Sequence, residues 1–415
     1  MRILISGASV AGPVAAYWLR RHGFQPTLVE RAPGPRKTGG HAVDLFRPAI
    51  EIVERMGVLP AIHAKRTDTD FLTLLGEGGG AGIEIELKRF LSAISDRHVE
   101  IMREDLSEVL QGATHGVEAI YGDSITALNE RTDAVEVSFE HAPPREFDLV
   151  IGADGLHSNV RRLAFGPERQ FTHYAGAYLA VVTVPNYLGL SDHTLLYRVP
   201  GRMIGLYAAK HFGDARAVFL WNSEQELGIH HRDIAGQKAL LKRTFEDLGW
   251  ELPRLLAELE HAPAFYFDSI SQLHLQSWSK GRVSLVGDAG YCPGPAIGGS
   301  TSLAVVGAYV LAGELAAAQG DYTRAFAAAE DRLRDYVLAS RTFALHTARQ
   351  LIPRSRTELW LQARALRLLS VMPTRWARSL IELGRARTRL HDTVLVRDYG
   401  SEAQRATRTP QTSAA

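Results

Sequence analysis

The stretch Arg2-Ile3-Leu4-Ile5-Ser6-Gly7-Ala8-Ser9-Val10-Ala11-Gly12-Pro13 decides how the chain begins. Residues 2–6 are a short apolar run ending at a glycine, the pattern of a strand buried on both faces of a parallel sheet. Residues 7–12 make a tight turn, and Pro13 sits where a helix can start without losing a hydrogen bond. Val14, Trp18 and Leu19 recur on one helical face, Gly23 stops the helix, and residues 26–30 form a second strand. The opening is therefore a βαβ unit whose turn carries the dinucleotide spacing, with Ser9 where the middle glycine usually stands. Gly7 allows the turn, Gly12 allows close packing, and the helix N-terminus around Ala11 offers N–H groups to a pyrophosphate. Glu30 ends the second strand 18 residues after Gly12. A carboxylate there accepts hydrogen bonds from a ribose diol and disfavours a 2′-phosphate. The alternative reading of Gly7-Ala8-Ser9 as a nucleophile elbow fails, because position 11 is alanine.

Beyond residue 30 the pattern changes twice. A helix is expected over residues 49–59 and a hairpin or loop at 76–82, where five of seven residues are glycine. Residues 84–103 read as mixed. Strands are expected at 117–127 and 134–139 with the turn at 129–133, and again at 147–151. Residues 172–225 read as strands 177–184, 194–199, 203–208 and 217–222, separated by turn residues, which points to a mostly antiparallel sheet. A helix is expected at 237–248, a buried strand at 283–286 and an apolar helix at 302–319. Residues 323–390 read as helical and rich in arginine, with ten arginines against two acids between Arg349 and Arg389, a solvated helix face or, as the alternative, a docking surface for an anion or partner.

The fold class expected is α/β (α+β): a Rossmann-like domain carrying an inserted, mostly antiparallel substrate sheet and a helical C-terminus. The expected boundaries place the dinucleotide domain at 1–72, 97–172 and 271–345. The substrate domain takes 73–96 and 173–270, with C-terminal helices at 346–400 and a disordered tail at 401–415.

Composition narrows the class. Of 415 residues, 46% are hydrophobic and 22% charged, the profile of a globular protein. A formal charge of +1 argues against nucleic acid as a partner. Cys292 is the single cysteine, so an intrachain disulfide and a cysteine-built zinc site are both excluded. The opening turns too soon for a signal peptide, and the apolar run 303–318 is interrupted by Glu314. A cytoplasmic protein with no membrane partner, monomeric or homodimeric, is expected.

Two further stretches raise the specificity. Asp148-Leu149-Val150-Ile151-Gly152-Ala153-Asp154-Gly155 is a buried strand running into a Gly/Asp turn, followed by Ser158 and Arg161. Val283-Ser284-Leu285-Val286-Gly287-Asp288 is a strand ending in Gly-Asp, then Pro293, Pro295, Gly298, Gly299 and a helix. With these three motifs in this order, the chain resembles the single-component FAD-dependent aromatic hydroxylases, the group of para-hydroxybenzoate hydroxylase. Within that group it looks most like tetracycline-inactivating and polyketide-tailoring monooxygenases. The resemblance covers about residues 1–345.

It implies FAD as cofactor and NADPH or NADH as transient reductant. Gly7, Ser9, Ala11, Gly12, Glu30 and Arg31 would hold the ADP half. Asp44, in the segment from Gly39, and Arg103 would lie beside the flavin. Asp154 and Gly155 would serve both nucleotides. Gly287 and Asp288 would hold the ribitol chain, and Gly298, Gly299 and Ser300 the flavin edge, where Gly299 and Ser300 replace the family's Gln and Gly. The implied reaction is insertion of one atom of O2 into an aromatic or polycyclic molecule through a flavin C4a-hydroperoxide. It needs neither a side-chain nucleophile nor a metal. Tyr178, Tyr197, Tyr207, Phe219 and Trp221 on the middle strands are candidate substrate contacts, with core packing the alternative for each. Met203 and Phe267 share that ambiguity, and His230-His231 reads as a surface turn. A flavin-dependent halogenase, a reductase or a non-redox FAD protein are the competing readings. A Trp-x-Trp-x-Ile-Pro element expected of a halogenase does not occur in the sequence.

Overall fold

The computed structural model describes residues 1–34, 40–80, 82–87, 95, 97–294, 299–371 and 395–400. The expected opening strand is Arg2–Ser6, and it lies at the centre of a six-stranded sheet. The strand order is Ser279–Lys280, Val283–Leu285, Leu149–Gly152, Arg2–Ser6, Gln25–Glu30, Glu118–Tyr121. All neighbours run parallel except the edge pair Ser279–Lys280 and Val283–Leu285. Alternation along the first strand explains the layers on either side. Ile3 and Ile5 point to a core shared with Val14, Trp18 and Leu19 of helix Ala11–Arg21 and Leu303 and Val306 of helix Ser300–Ala317. Leu4 points the other way, to Val135, Val137 and Phe147 of a small antiparallel sheet of Ile125–Glu130, Val135–Phe139 and Arg145–Phe147.

The second unit is a seven-stranded sheet ordered Phe265–Leu273, Thr172–Pro185, Asp214–Asn222, Arg202–Tyr207, His193–Val199, Phe71–Leu74, Ile83–Glu86. Every pair is antiparallel except His193–Val199 with Phe71–Leu74. One face packs on helices Ile234–Phe245 and Leu252–Glu258; the other faces the parallel unit. Helix Tyr322–Leu351 joins the two. Its first half, through Phe326, Leu333 and Val337, belongs to the parallel-sheet core, and its second half, through Ala344, Ala348 and Leu351, packs on the antiparallel sheet.

Several boundaries differ from expectation for local reasons. The first helix starts at Ala11, not Pro13, and ends in a Schellman motif with Gly23 at φ +87°. The helix over 49–59 is two, Arg47–Arg55 and Leu59–Ala64, parted at Gly57. The strand over 117–127 is also two. Asp123 breaks it by accepting the N–H groups of Ser124, Glu140, His141 and Ala142, and so turns the chain from one sheet into another. The following strand runs on to Glu130, so the turn falls at 131–134. Leu149–Gly152 starts after Asp148, whose carboxylate accepts the Arg2 N–H. Helix Arg103–Gly112 and strand Phe265–Leu273 were not foreseen. Ser300–Ala317 is long and apolar enough to cross a membrane by length and composition, but most of its residues are buried in the core. The C-terminal helix Arg356–Val371 follows the long one; the arginines after 371 and the tail from 401 lie outside the described residues, apart from Arg397.

The antiparallel sheet is fastened to the backbone at Gly40 and Ala42 by two buried groups. Arg216 donates from Nε to the Gly40 carbonyl (2.9 Å), from Nη2 to Glu104 Oε1 (2.9 Å) and from Nη1 to Asp214 Oδ1 (2.7 Å). The Tyr207 hydroxyl accepts the Ala42 N–H at 2.7 Å. Arg216 and Glu104 are almost wholly buried, so removing one partner leaves a desolvated charge. Arg216→Ala is expected to destabilise by about 3–5 kcal/mol in chemical denaturation, and Arg216→Met with Glu104→Leu by far less.

Candidate functional site

Three backbones meet at the first turn. A Cβ at Gly7 (φ +105°) would lie 2.4 Å from the Ala153 carbonyl oxygen, and one at Gly12 would lie 1.8 Å from the Gly7 carbonyl oxygen. Neither position admits another residue. Gly287, which follows the third motif's strand, sits between Ala11 and Ala304: its Cβ would stand 3.4 Å and 3.2 Å from theirs. The strand ends of all three motifs therefore converge on the start of helix Ala11–Arg21.

Two helix N-termini open there. Helix Ala11–Arg21 starts after Val10 with no side-chain cap and no acid in its first turn. Helix Ser300–Ala317 starts after Gly299 (φ +97°), also uncapped and without an acid in the first turn. Uncapped starts leave N–H donors and about half a positive charge facing outward. Around them stand the charged groups. Glu30 Oε2 and Oε1 accept the N–H groups of Ala8 and Ala32, both at 2.9 Å, which fixes its carboxylate at the mouth of the turn. Arg103 heads its helix, donates its N–H to the His41 carbonyl, and brings Nη2 within 3.4 Å of Ser9 Oγ. Asp288 is half-buried, and burial holds its carboxyl above the usual range against the pull of Arg103. Gln111, unmarked by any motif, donates to the Ala8 carbonyl at 2.5 Å.

Other expected residues lie nearby with partners of their own. Asp154 accepts the Ser158 hydroxyl and the N–H groups of Asn159 (2.8 Å) and Val160 (3.0 Å), so it caps helix Asn159–Ala164 from within its own turn. Gly155 supplies the bend. Asp44 lies 2.6 Å from His98 Nε2, and its carbonyl accepts from Ser302, which stitches strand Ala42–Phe46 to the second uncapped helix. Arg31 is exposed. Gly39 and Gly298 lie outside the described residues. His41 is kept neutral, its pKa lowered to about 4 by burial and then by Arg103, with Asp44 opposing. Its ring is 5.9 Å from that of Tyr266, on the sheet opposite.

Strand parity divides the candidate substrate contacts. Tyr178, Tyr197, Phe219 and Trp221 share a core with Phe245, Leu252 and Leu255, on the helix-covered face of the antiparallel sheet. Tyr178 stacks on Trp221 at 5.4 Å and its hydroxyl accepts the Leu227 N–H. Phe267 belongs to the same core. Tyr207 has the opposite parity and reaches Ala42, and Met203 has that parity too. The other face carries Leu179, Val181, Met203 and Leu220, which pack with Ala344 and Ile352, and Tyr266, which stands beside His41. Both faces of these strands are buried, so alternation alone does not mark which one meets a ligand.

The donor set fits a flavin dinucleotide: N–H donors at two helix starts, a carboxylate placed for a ribose diol, a second for ribitol hydroxyls, and an arginine between. A family described as FAD binding domain matches residues 1–346. A flavin-dependent monooxygenase of Legionella longbeachae is 40% identical over 345 residues, covering 83% of this chain and 88% of its own. The chain belongs to the FAD-binding family of flavin-dependent monooxygenases.

An uncharacterised protein of Mycobacterium tuberculosis is 46% identical over 327 residues, covering 78% of this chain and 87% of its own. Among solved structures, the tetracycline destructase Tet(51) superposes with a TM-score of 0.81 at 33% identity, covering 96% of this chain and 99% of that one. In this monooxygenase the resemblance and fold class drawn from three short motifs are borne out. Gln111, His41, Tyr266 and Arg216 were not singled out, since none lies in a motif; Tyr266 was detectable only through the alternation of strand Phe265–Leu273.

Gly12→Ala is expected to abolish FAD retention, read as loss of yellow colour after gel filtration. A pH effect follows from the Asp44–His98 pair. Burial would lower the His98 pKa, but the hydrogen bond and charge of Asp44 outweigh it and leave it raised above 6.5. The stabilisation is therefore complete below pH 6.5 and is lost as pH rises through the raised value. The melting-temperature difference between wild type and His98→Gln should shrink steadily above pH 6.5.

Proposed function

We propose that this enzyme is a cytoplasmic NAD(P)H-dependent FAD monooxygenase that inserts one oxygen atom into an aromatic or polycyclic small molecule. The observation that carries the reading is the convergence of two uncapped helix N-termini across Gly287. The likeness to a flavin-dependent monooxygenase and to a tetracycline destructase supports the substrate class.

In this reading the 7–12 turn and the N–H groups of Ala11 and Gly12 hold the diphosphate. Glu30 takes the adenosine ribose. Asp288 takes ribitol hydroxyls, a better partner for a carboxylate than phosphate. Gly299 and Ser300 present backbone N–H groups to the pyrimidine edge, where reduced flavin gathers negative charge. Arg103 adds a fixed cation beside Ser9 and Asp288. When bound, FAD supplies the redox chemistry, taking electrons from NAD(P)H and activating O2 at its C4a carbon. Tyr266, beside His41, would present the substrate-facing side of the antiparallel sheet.

The test is NAD(P)H consumption across a panel of polycyclic phenols, with mass spectrometry for the gain of one oxygen. Stimulated consumption with that gain supports the reading. A protein that holds FAD which NAD(P)H cannot reduce, with any member of the panel bound, overturns it. Asp288→Ala should lose FAD altogether. Glu30→Ala should weaken FAD binding by about 1–3 kcal/mol and leave substrate affinity unchanged, as measured by flavin fluorescence titration.

A further inference from the structure

One hydrogen-bonded chain has no part in holding the cofactor. His157 follows the Asp154–Gly155 bend. Its Nδ1 lies 2.9 Å from Glu168 Oε1 and its Nε2 lies 3.1 Å from Asp268 Oδ2. The Tyr266 hydroxyl donates to the same Asp268 oxygen at 3.3 Å. The outer end is open, with the side chains of Glu168 and His157 36% and 31% exposed, whereas that of Asp268 is 9% exposed. The inner end is Tyr266, which feels the charges of both Arg103 and Asp288 and stands beside His41. The chain thus runs from solvent to the wall of the proposed flavin cleft.

The overall reaction consumes a proton. Substrate RH, O2, NAD(P)H and one proton give ROH, NAD(P)+ and water, so each turnover takes in one proton from outside. A cleft that excludes water must admit that proton by another route. We propose that His157, Asp268 and Tyr266 conduct protons from solvent into the flavin cleft, a role that rests on the monooxygenase reading. His157 Nε2 gives its proton to the Asp268 carboxylate, Asp268 passes it to the Tyr266 oxygen as Tyr266 releases its own hydroxyl proton toward the acceptor in the cleft, and His157 regains one from water. One proton moves inward and no electron is transferred along the chain.

The surroundings of His157 suit the first step. Burial would lower its pKa, but Asp268 and Glu168 outweigh it and raise it to about 9, so the ring is charged at neutral pH. Arg161 pairs with Glu168 at 2.7 Å, and the His231 ring stacks on His157 at 4.3 Å with its own pKa lowered. His157 is therefore the charged member of that stack.

The experiment uses FAD-loaded wild type, Tyr266→Phe, Asp268→Asn and His157→Ala. Bound FAD is reduced anaerobically by reduced methyl viologen, which releases no proton on oxidation, in weak buffer while an indicator dye follows proton uptake, which needs no NAD(P)H. In wild type, dye and flavin should change together. In the variants, proton uptake should lag by at least about tenfold with FAD affinity retained, and imidazole should restore His157→Ala but not Asp268→Asn. Uptake in step with reduction in the variants overturns the path, and so does a lag in His157→Ala that imidazole leaves unchanged. If Asp268→Asn does not fold, the imidazole response of His157→Ala decides alone. A wild type whose FAD is not reduced by NAD(P)H fails the monooxygenase reading itself. A wild type that oxidises NAD(P)H, with variants in step, fails the path alone.

Discussion

The structure depends on backbones approaching where no side chain fits. Gly7 lies against the Ala153 carbonyl, Gly12 against that of Gly7, and Gly287 between Ala11 and Ala304. A methyl group at Gly7 or Gly12 would push adjoining segments apart. With the gaps closed, two helix starts come close enough to act on one ligand. Neither start is capped by a side chain at Val10 or Gly299. Helix ends left so exposed weaken the fold slightly, and that cost is offset only when an anionic or acceptor group settles on them. The same arrangement explains the placing of Glu30: it takes the Ala8 and Ala32 N–H groups and waits at the mouth of the turn.

The antiparallel sheet serves a different purpose on each face. Its outer face is closed by two helices around Trp221, Phe219 and Phe245 and gives rigidity. Its inner face is anchored through Arg216 and Tyr207, which grip backbone atoms of Gly40 and Ala42, Arg216 also pairing with the Glu104 side chain. Backbone partners cannot be lost by substitution on the other side. The register between sheet and cofactor segment therefore rests on the sheet's own residues and on Glu104.

Much of this was legible in the sequence. Three short motifs sufficed for the parallel sheet, because an apolar run of four or five residues that stops at a glycine is long enough for a buried strand and too short for a helix. Turn residues marked the antiparallel strands. What escaped notice has physical causes. The split at Asp123 depends on four N–H groups, three of them supplied by a strand end 17 to 19 residues later. The hydrogen bonds of Asp154 to its own following helix are invisible until that helix is seen. The aromatic residues of the middle strands were visible as a set, but in strands buried on both sides the apolar pattern repeats on each face. Only the partners, Leu252 and Phe245 for one face and Ala344 and Leu351 for the other, tell them apart.

Helix Tyr322–Leu351 carries a consequence for motion. At 1.5 Å per residue its 30 residues make a rod about 45 Å long, with one half embedded in each core. A door swinging open between the two sheets would have to tear out one half or snap the rod near Ser340, which is itself buried. The two bodies therefore stay at a set spacing, held by one rod common to both cores.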